Sequence, residues 1–300
     1  MLTADQQLIN EHAMSRNRFL RRLGIVGLWL NPVFSYFFLW APILVLVLFS
    51  FNQSRSVASF SGFTLKWYSN ILNNMMGAES AFSTELLLNA FRNSLFVGTV
   101  ATAISTVLGT MIALSMARGK YKGKRLLDAL LFFPVVIPEI TQAISLAIFF
   151  KVVFDWFALM SGERIFPGFH TIVAAHVTFN ISYVAIVVRA RLADMDPQLE
   201  EAANDLGANP WQTFWRVTFP LILPGVISGA LLAFTLSLDD FVITFFTSGV
   251  GTTTLPVFVY GLLKLTVTPE VNAISTIMMV LSTLFIGISL TIQGRAVPRA

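Results

Sequence analysis

The chain has 300 residues, of which 55% are hydrophobic and 12% charged, and its mean hydropathy is +0.73. A soluble globular protein carries about 25% charged residues; at about half that density this chain cannot coat a water-facing surface, and a bilayer is the solvent that fits. It has no cysteine, which excludes disulfides, thiolate metal sites and cysteine nucleophiles.

A helix that crosses a bilayer needs roughly 20 apolar residues. In chain order the qualifying stretches are 33–51, 94–116, 129–150, 172–188, 221–246 and 273–292. Six membrane helices are therefore expected, and the chain reads as an all-α, polytopic integral-membrane protein. Its organisation is a terminal segment 1–32, a membrane domain 33–292 and a tail 293–300. The first span can begin as early as Ile25, because Pro32 is tolerated close to a helix start. Arg16, Arg18, Arg21 and Arg22 followed by an apolar run look like a secretion signal, but the run is too long and no small-x-small cleavage pattern follows. It reads as an uncleaved first span.

Lysine and arginine in the connections set the orientation. An even number of spans leaves both termini on one side. That side holds fourteen of the twenty basic residues, clustered at 16–22, 118–125, 189–216 and 295–299. The other side holds Arg55, Lys66, Arg92, Lys151, Arg164 and Lys264. Both termini are thus expected in the cytoplasm, and the net charge of +4 is a topology signal rather than a polyanion site. The outer connections 52–92, with an amphipathic stretch at 79–91, and 247–272, with Gly249, Gly251 and Pro256, are long enough to dock a partner or to lie along the membrane surface.

Two spans carry acids. A charge at mid-bilayer costs on the order of 2.5–3.5 kcal/mol and marks a functional position by default. Glu139 follows Pro134 and Pro138, so its helix is expected to kink or break just before it, near mid-depth of the third span. Asp239 and Asp240 fall in the outer part of the fifth span, with no Lys or Arg in that span. Adjacent carboxylates repel, and a multivalent organic cation or a metal ion relieves them. Trp40, Tyr183, Phe241 and Phe245 are candidates for cation–π attraction to ammonium groups. His176, Asn180 and Tyr183 stand at i, i+4 and i+7, one polar stripe that serves either a pathway or interhelical hydrogen bonding.

The cytoplasmic connection 189–220 reads RARLADMDPQLEEAANDLGANPWQTFWRVTFP. Asp196-Pro197 opens a helix whose Met195, Leu199, Ala202, Ala203 and Leu206 share one face. Gly207 ends it, and Asn209-Pro210-Trp211-Gln212 opens a second with capping-box spacing. Two short amphipathic helices meeting at a glycine present an apolar surface to a cytoplasmic partner. A DNA-reading helix-turn-helix is the rival reading; against it, the second helix is pinned at the membrane and carries Arg216 as its sole base. No phosphate-binding loop is present: Gly119-Lys120 and Gly123-Lys124 lack the required spacing and Ser/Thr.

Glu201-Ala202-Ala203, then Gly207, then Val217-Thr218-Phe219-Pro220 resembles the EAA loop of ABC-importer permeases. Val217 and Phe219 occupy the slots that the family fills with isoleucine and leucine. The resemblance implies a type I ABC-importer permease (MetI-like) fold and an EAA loop that seats on a separate ATP-hydrolysing subunit through Glu201, Ala202, Ala203 and Gly207, with Pro220 closing the motif. This chain is then no enzyme; ATP and Mg2+ belong to the partner ATPase, and no metal or cofactor is expected here. More narrowly, residues 133–146, 175–192, 234–249 with S-L-D-D (Ser237 to Asp240), and 252–273 with T-P-E-V-N-A resemble the spermidine/putrescine permeases. The likeness runs from about residue 33 to 292. It implies a bacterial inner-membrane protein paired with a second homologous permease, an ATPase dimer and an extracytoplasmic polyamine-binding protein. The implied substrate path passes Asp239, Asp240 and Glu139, with Ser237, His176, Asn180, Tyr183 and Trp40 beside it. Glu139 stands where the family usually has Asp, and Asn180 where a less polar residue is usual. A permease for another cation, such as iron(III) or a basic amino acid, shares the loop; an ion-coupled carrier has no need of it.

Overall fold

In a computed structural model, residues 4–56, 58–73, 84–119, 121–265 and 267–295 are described, with side chains except at 4–26, 84, 265, 289 and 292–295. Residues 79–83 of the amphipathic outer stretch, Lys120 and the last five residues of the tail lie outside the described residues. The fold is all-α, and among the described residues six helices are long and apolar enough to cross a membrane. Two compact units divide it: Met1–Trp67 with Thr268–Ala273, and Tyr68–Val267 with Ile274–Ala300.

In the first unit, helix α1 (Ala4–Phe49) runs without a boundary at residue 32 and contains Pro32 and Pro42; its apolar span is Gly27–Phe49. The connection that follows folds around the buried side chain of Asn52. Its Nδ2 donates to the Ser56 and Ser59 carbonyls at 2.8 and 2.9 Å, and its Oδ1 accepts from the Ser61 amide at 2.9 Å. The Trp67 indole, in α2 (Lys66–Leu72), donates to the Asn52 carbonyl at 2.7 Å. A segment expected to be loop is thus locally satisfied.

The second unit is built on three long helices packed against one another: α3 (Thr84–Arg118), α6 (Phe169–Ala193) and α9 (Phe219–Asp239). Lipid supplies no hydrophobic drive between helices, so small residues that let backbones approach carry the contact. At Gly109 of α3 a Cβ atom would sit 2.8 Å from the Val184 Cβ and 2.9 Å from the Ile181 carbonyl of α6; any side chain there pushes the two helices apart. Helix α3 begins ten residues before the expected span at 94–116, taking in part of the outer connection.

Three further boundaries correct the sequence reading. The stretch 129–150 is not one helix: α4 (Lys124–Val136) ends, Ile137 and Pro138 are extended, and α5 (Glu139–Ser161) begins. Proline lacks the amide and drives its predecessor out of the helical region. The break before Glu139 is the one expected, but the span itself shifts to Glu139–Ser161, with Glu139 at its head. The stretch 221–246 also divides. Helix α9 stops at Asp239, Asp240 is extended (φ −63°, ψ 122°), and α10 (Val242–Thr247) restarts the chain. Finally, the outer connection after α10 contains α11 (Leu255–Leu265) before α12 (Pro269–Arg295).

The connection 189–220 forms the two helices expected of it. Helix α7 (Gln198–Asp205) starts with the Asp196 carboxylate accepting the Gln198 amide at 2.9 Å. Gly207 follows at φ +84°, a conformation that glycine adopts without steric cost. Helix α8 (Pro210–Thr213) has the reciprocal cap, with Asn209 accepting from the Gln212 amide at 2.9 Å and Gln212 accepting from the Asn209 amide at 3.0 Å. A π-helical turn, Phe214–Thr218, then carries it into α9. The second loop helix is therefore the start of the fifth span, a continuous Pro210–Asp239 rod of about 45 Å at 1.5 Å per residue.

Candidate functional site

The chain break at Asp240 sends the two adjacent carboxylates in different directions. Asp240 is buried. Its Oδ2 accepts from the amide and hydroxyl of Thr244, both at 2.7 Å, and its Oδ1 accepts from the Ile243 amide at 3.3 Å. The carboxylate thus satisfies the first free amides of α10 in the manner of an N-terminal cap. His176, fully buried on α6, places Nε2 3.2 Å from Asp240 Oδ2 and 2.9 Å from Thr244 Oγ1. Its Nδ1 lies 3.0 Å from Ser237 Oγ, and Ser237 also accepts from Asn180 Nδ2 at 2.8 Å. With Nε2 as donor and Nδ1 as acceptor, the bonds run in one direction from Asn180 through Ser237 and His176 to Asp240. The stripe on α6 is therefore interhelical bonding at His176 and Asn180. Asn180 Oδ1 is buried with no hydrogen-bond partner.

Glu139, exposed at the head of α5, lies close enough to Asp240 for the two carboxyl groups to interact. Two interacting carboxyl groups are a ready cation site, because an ammonium group placed between them relieves their repulsion. No Lys or Arg among the described residues forms an ion pair with either. The acid pair brought together is thus Glu139 with Asp240, from two helix ends, rather than Asp239 with Asp240.

Asp239, the last residue of α9, is exposed and accepts from the Ser282 hydroxyl of α12 at 2.6 Å. It borders two cavities. One, of about 300 Å³, is lined by Leu88, Phe91, Ile277 and Met278; the other, of about 520 Å³, by Tyr260, Leu263 and Met279. The extended backbone at Asp240 turns its carboxylate to α6 and α10 and leaves that of Asp239 on α12. Tyr183 stacks edge-on to Phe179, 6.5 Å between ring centroids, beside the His176 cluster. Phe241 and Phe245 pack with Tyr260 at 4.4 and 6.1 Å. Trp40 lies exposed on α1, in the first unit.

The loop 189–220 is tied to the second unit by ions and hydroxyls. Glu200 receives Arg118 Nε at 3.1 Å on one oxygen and the Thr218 hydroxyl at 2.7 Å on the other. The Thr213 hydroxyl donates to Asn204 at 3.1 Å, and Arg189 pairs with Asp128 of α4. Glu201 and Ala202 are exposed, Ala203 is half-buried, Gly207 is open to solvent, and Pro220 sits in the first turn of α9. Leu206 is 89% and Trp211 70% exposed, and Trp211 meets Trp215 edge-on at 5.6 Å between ring centroids. Sequence reasoning missed Glu200, Arg118, Thr244 and Ser282. Thr244 was findable, since an aspartate four residues before a threonine inside an apolar run is a helix-start pattern.

Residues 105–300 match the family described as binding-protein-dependent transport system inner membrane component. The chain is 38% identical over 246 residues to the putrescine transport system permease protein PotI of Escherichia coli K12, covering 82% of this chain and 83% of that one. It is 37% identical over 247 residues to the spermidine/putrescine transport system permease protein PotC of Haemophilus influenzae, covering 82% and 88%. In three dimensions it matches a chain of a bacterial ABC transporter involved in the import of the acidic polysaccharide alginate, with a TM-score of 0.68 at 17% identity over 93% of this chain and 98% of that one. A second match is to an amino acid ABC transporter, with a TM-score of 0.52 at 20% identity over 71% and 94%. At these identities the structural likeness speaks for the fold.

Proposed function

We infer, from the premise that this chain belongs to the family of inner-membrane components of binding-protein-dependent transport systems, that its cargo is a polyamine of the putrescine and spermidine class. The observation that carries this reading is the proximity of Glu139, at the head of one span, to Asp240, in the break that ends another: two interacting carboxyl groups, without a Lys or Arg partner among the described residues, in a chain whose relatives are named for putrescine and spermidine transport. A diamine or triamine supplies the missing positive charge.

The chain forms half of a translocation pathway with a second homologous permease. An ATPase dimer, which binds ATP and Mg2+, docks on the exposed apolar surface of Leu206, Trp211 and Trp215 and on the Glu201-Ala202-Ala203 face. An extracytoplasmic binding protein delivers the polyamine on the opposite side, and both termini face the cytoplasm. Nucleotide-driven closure of the ATPases moves the 189–220 loop, opens the pathway outward and admits the polyamine to Glu139 and Asp240; hydrolysis reverses the motion. The chain itself makes and breaks no covalent bond.

The test is ATP-dependent uptake of labelled putrescine and spermidine into vesicles holding the assembled complex and its loaded binding protein. Uptake that unlabelled polyamine competes away, and a basic amino acid or iron(III) does not, supports the reading. Uptake of one of those cations in place of polyamines contradicts it.

A further inference from the structure

Any push that a partner gives the exposed face of α7 must reach the spans through the contacts that α7 makes with the rest of the unit. Gln198, Leu199, Glu201, Ala202, Asn204 and Asp205 are exposed. The carboxylate of Glu200 is turned inward instead. It lies in the first turn of α7 and uses both oxygens: one on Arg118, the last residue of α3, and one on Thr218, the last residue of the π-helical turn that opens α9. Thr218 is buried, and the Glu200 and Arg118 side chains are 22% and 37% exposed, so water and salt screen the contact only in part. Arg118 and Thr218 begin or end two of the three helices that form the packed centre of the second unit. One side chain therefore joins the loop, the second span and the fifth span.

The π-helical turn sharpens this. A π turn holds one residue more per turn than the α-helix around it and is found mostly where a helix serves a function. Here it falls between the loop helix α8 and the span α9, and the Thr218 hydroxyl that closes it is bonded to Glu200. Motion of α7 is thus applied to the least regular point of the Pro210–Asp239 rod.

We propose that Glu200 is the positioning residue that couples the loop to the membrane: its carboxylate clamps Arg118 and Thr218 together so that α7, α3 and α9 move as one body. The proposal rests on the reading that the 189–220 loop receives an ATPase. The neighbouring Glu201 is exposed and meets the partner; Glu200 faces inward and carries the displacement onward.

The experiment uses the assembled transporter in proteoliposomes with loaded binding protein. Glu200→Gln is expected to leave assembly intact and to raise the ATP hydrolysed per polyamine imported by about fivefold or more. Thr218→Val, which keeps both charges, is expected to raise it by an intermediate amount. The exchange Glu200→Arg with Arg118→Glu is expected to bring the ratio back to within about twofold of the wild type, a rescue that mere damage to the fold does not produce. A second readout needs no polyamine: spin labels at Asp205→Cys and Val107→Cys in this cysteine-free chain report the distance from α7 to α3. The wild-type distribution should be narrow and that of Glu200→Gln clearly broader. An unchanged ATP-to-cargo ratio or an unchanged distance distribution in Glu200→Gln overturns the clamp. A wild-type complex that moves no polyamine overturns the proposed cargo, and the distance measurement still judges the clamp.

Discussion

The α9–α10 junction and the 189–220 loop are both places where polar side chains interrupt an apolar chain, yet they are built in opposite ways. At the junction, Asp240, His176, Ser237 and Asn180 are buried and bonded to one another across three helices, and only Glu139 reaches in from an exposed position. In the loop, the polar groups Glu200 and Thr213 face inward, Thr213 bonded to the exposed Asn204, while Leu206, Trp211 and Trp215 face out. A charge in lipid must be satisfied inside the protein and so becomes part of the fold. Large apolar patches left open to water mark interaction sites. The junction closes on its own polar groups, whereas the loop leaves leucine and tryptophan side chains open.

The largest effect that sharpens this contrast is at Asp240. Asp240→Ala removes the carboxylate that satisfies two amides, a hydroxyl and the buried His176. Leaving such a network unpaired costs about 3–5 kcal/mol, read as a fall in the thermal midpoint of the purified protein and in the yield of assembled complex. Wild-type stability in that variant would show that the junction is not held by its carboxylate.

Gly207→Val comes next and acts on the other region. Holding a residue with a Cβ at φ +84° costs roughly 1–2 kcal/mol, and it falls at the joint between α7 and α8. Uptake is expected to drop while ATP hydrolysis by the complex persists, with spans intact by circular dichroism. Coupled transport at the normal rate would mean that the joint angle does not matter.

Asp239 tests whether adjacency in sequence means partnership. Asp239→Asn keeps shape and loses at most the charge on one hydrogen bond to Ser282, worth about 1 kcal/mol, so its midpoint should stay near the wild type. A loss as large as that of Asp240→Ala would return the two acids to a single unit. The smallest effect is expected at Asn180. Its Oδ1 is already unpartnered, so Asn180→Leu trades one bond for apolar contact in an apolar setting and should move stability by less than about 1 kcal/mol.

Much of this was legible in the residues. The number of membrane helices, the Asp196-Pro197 start, the Gly207 stop and the Asn209–Gln212 cap depend on composition or on spacing within a few residues, and each agrees with the pattern. The helix break before Glu139 was legible in Pro138. What spacing does not encode is direction across a break. Asp239 and Asp240 are neighbours in every local pattern; one extended residue sends them to α12 and α6. The Glu200 contacts were equally hidden, since Arg118 lies 82 positions away and Glu200 and Glu201 look alike in a helix of known amphipathicity. Of the six apolar runs, those at 129–150 and 221–246 are not the spans the pattern outlined; they concealed their own ends, because apolar content sets what enters lipid and not where a helix stops.

Glu139 tests the central claim most directly, because it is exposed at the head of α5 and its replacement does not disturb a buried network. The measurement is initial uptake of labelled putrescine and spermidine in vesicles holding equal amounts of assembled complex, with Glu139→Gln and Glu139→Asp beside the wild type. The account predicts that Glu139→Gln slows uptake of both by about tenfold or more, which is about 1.4 kcal/mol in the barrier, while Glu139→Asp, which keeps the charge, retains most of the rate. Wild-type uptake by Glu139→Gln would contradict a cation path between Glu139 and Asp240.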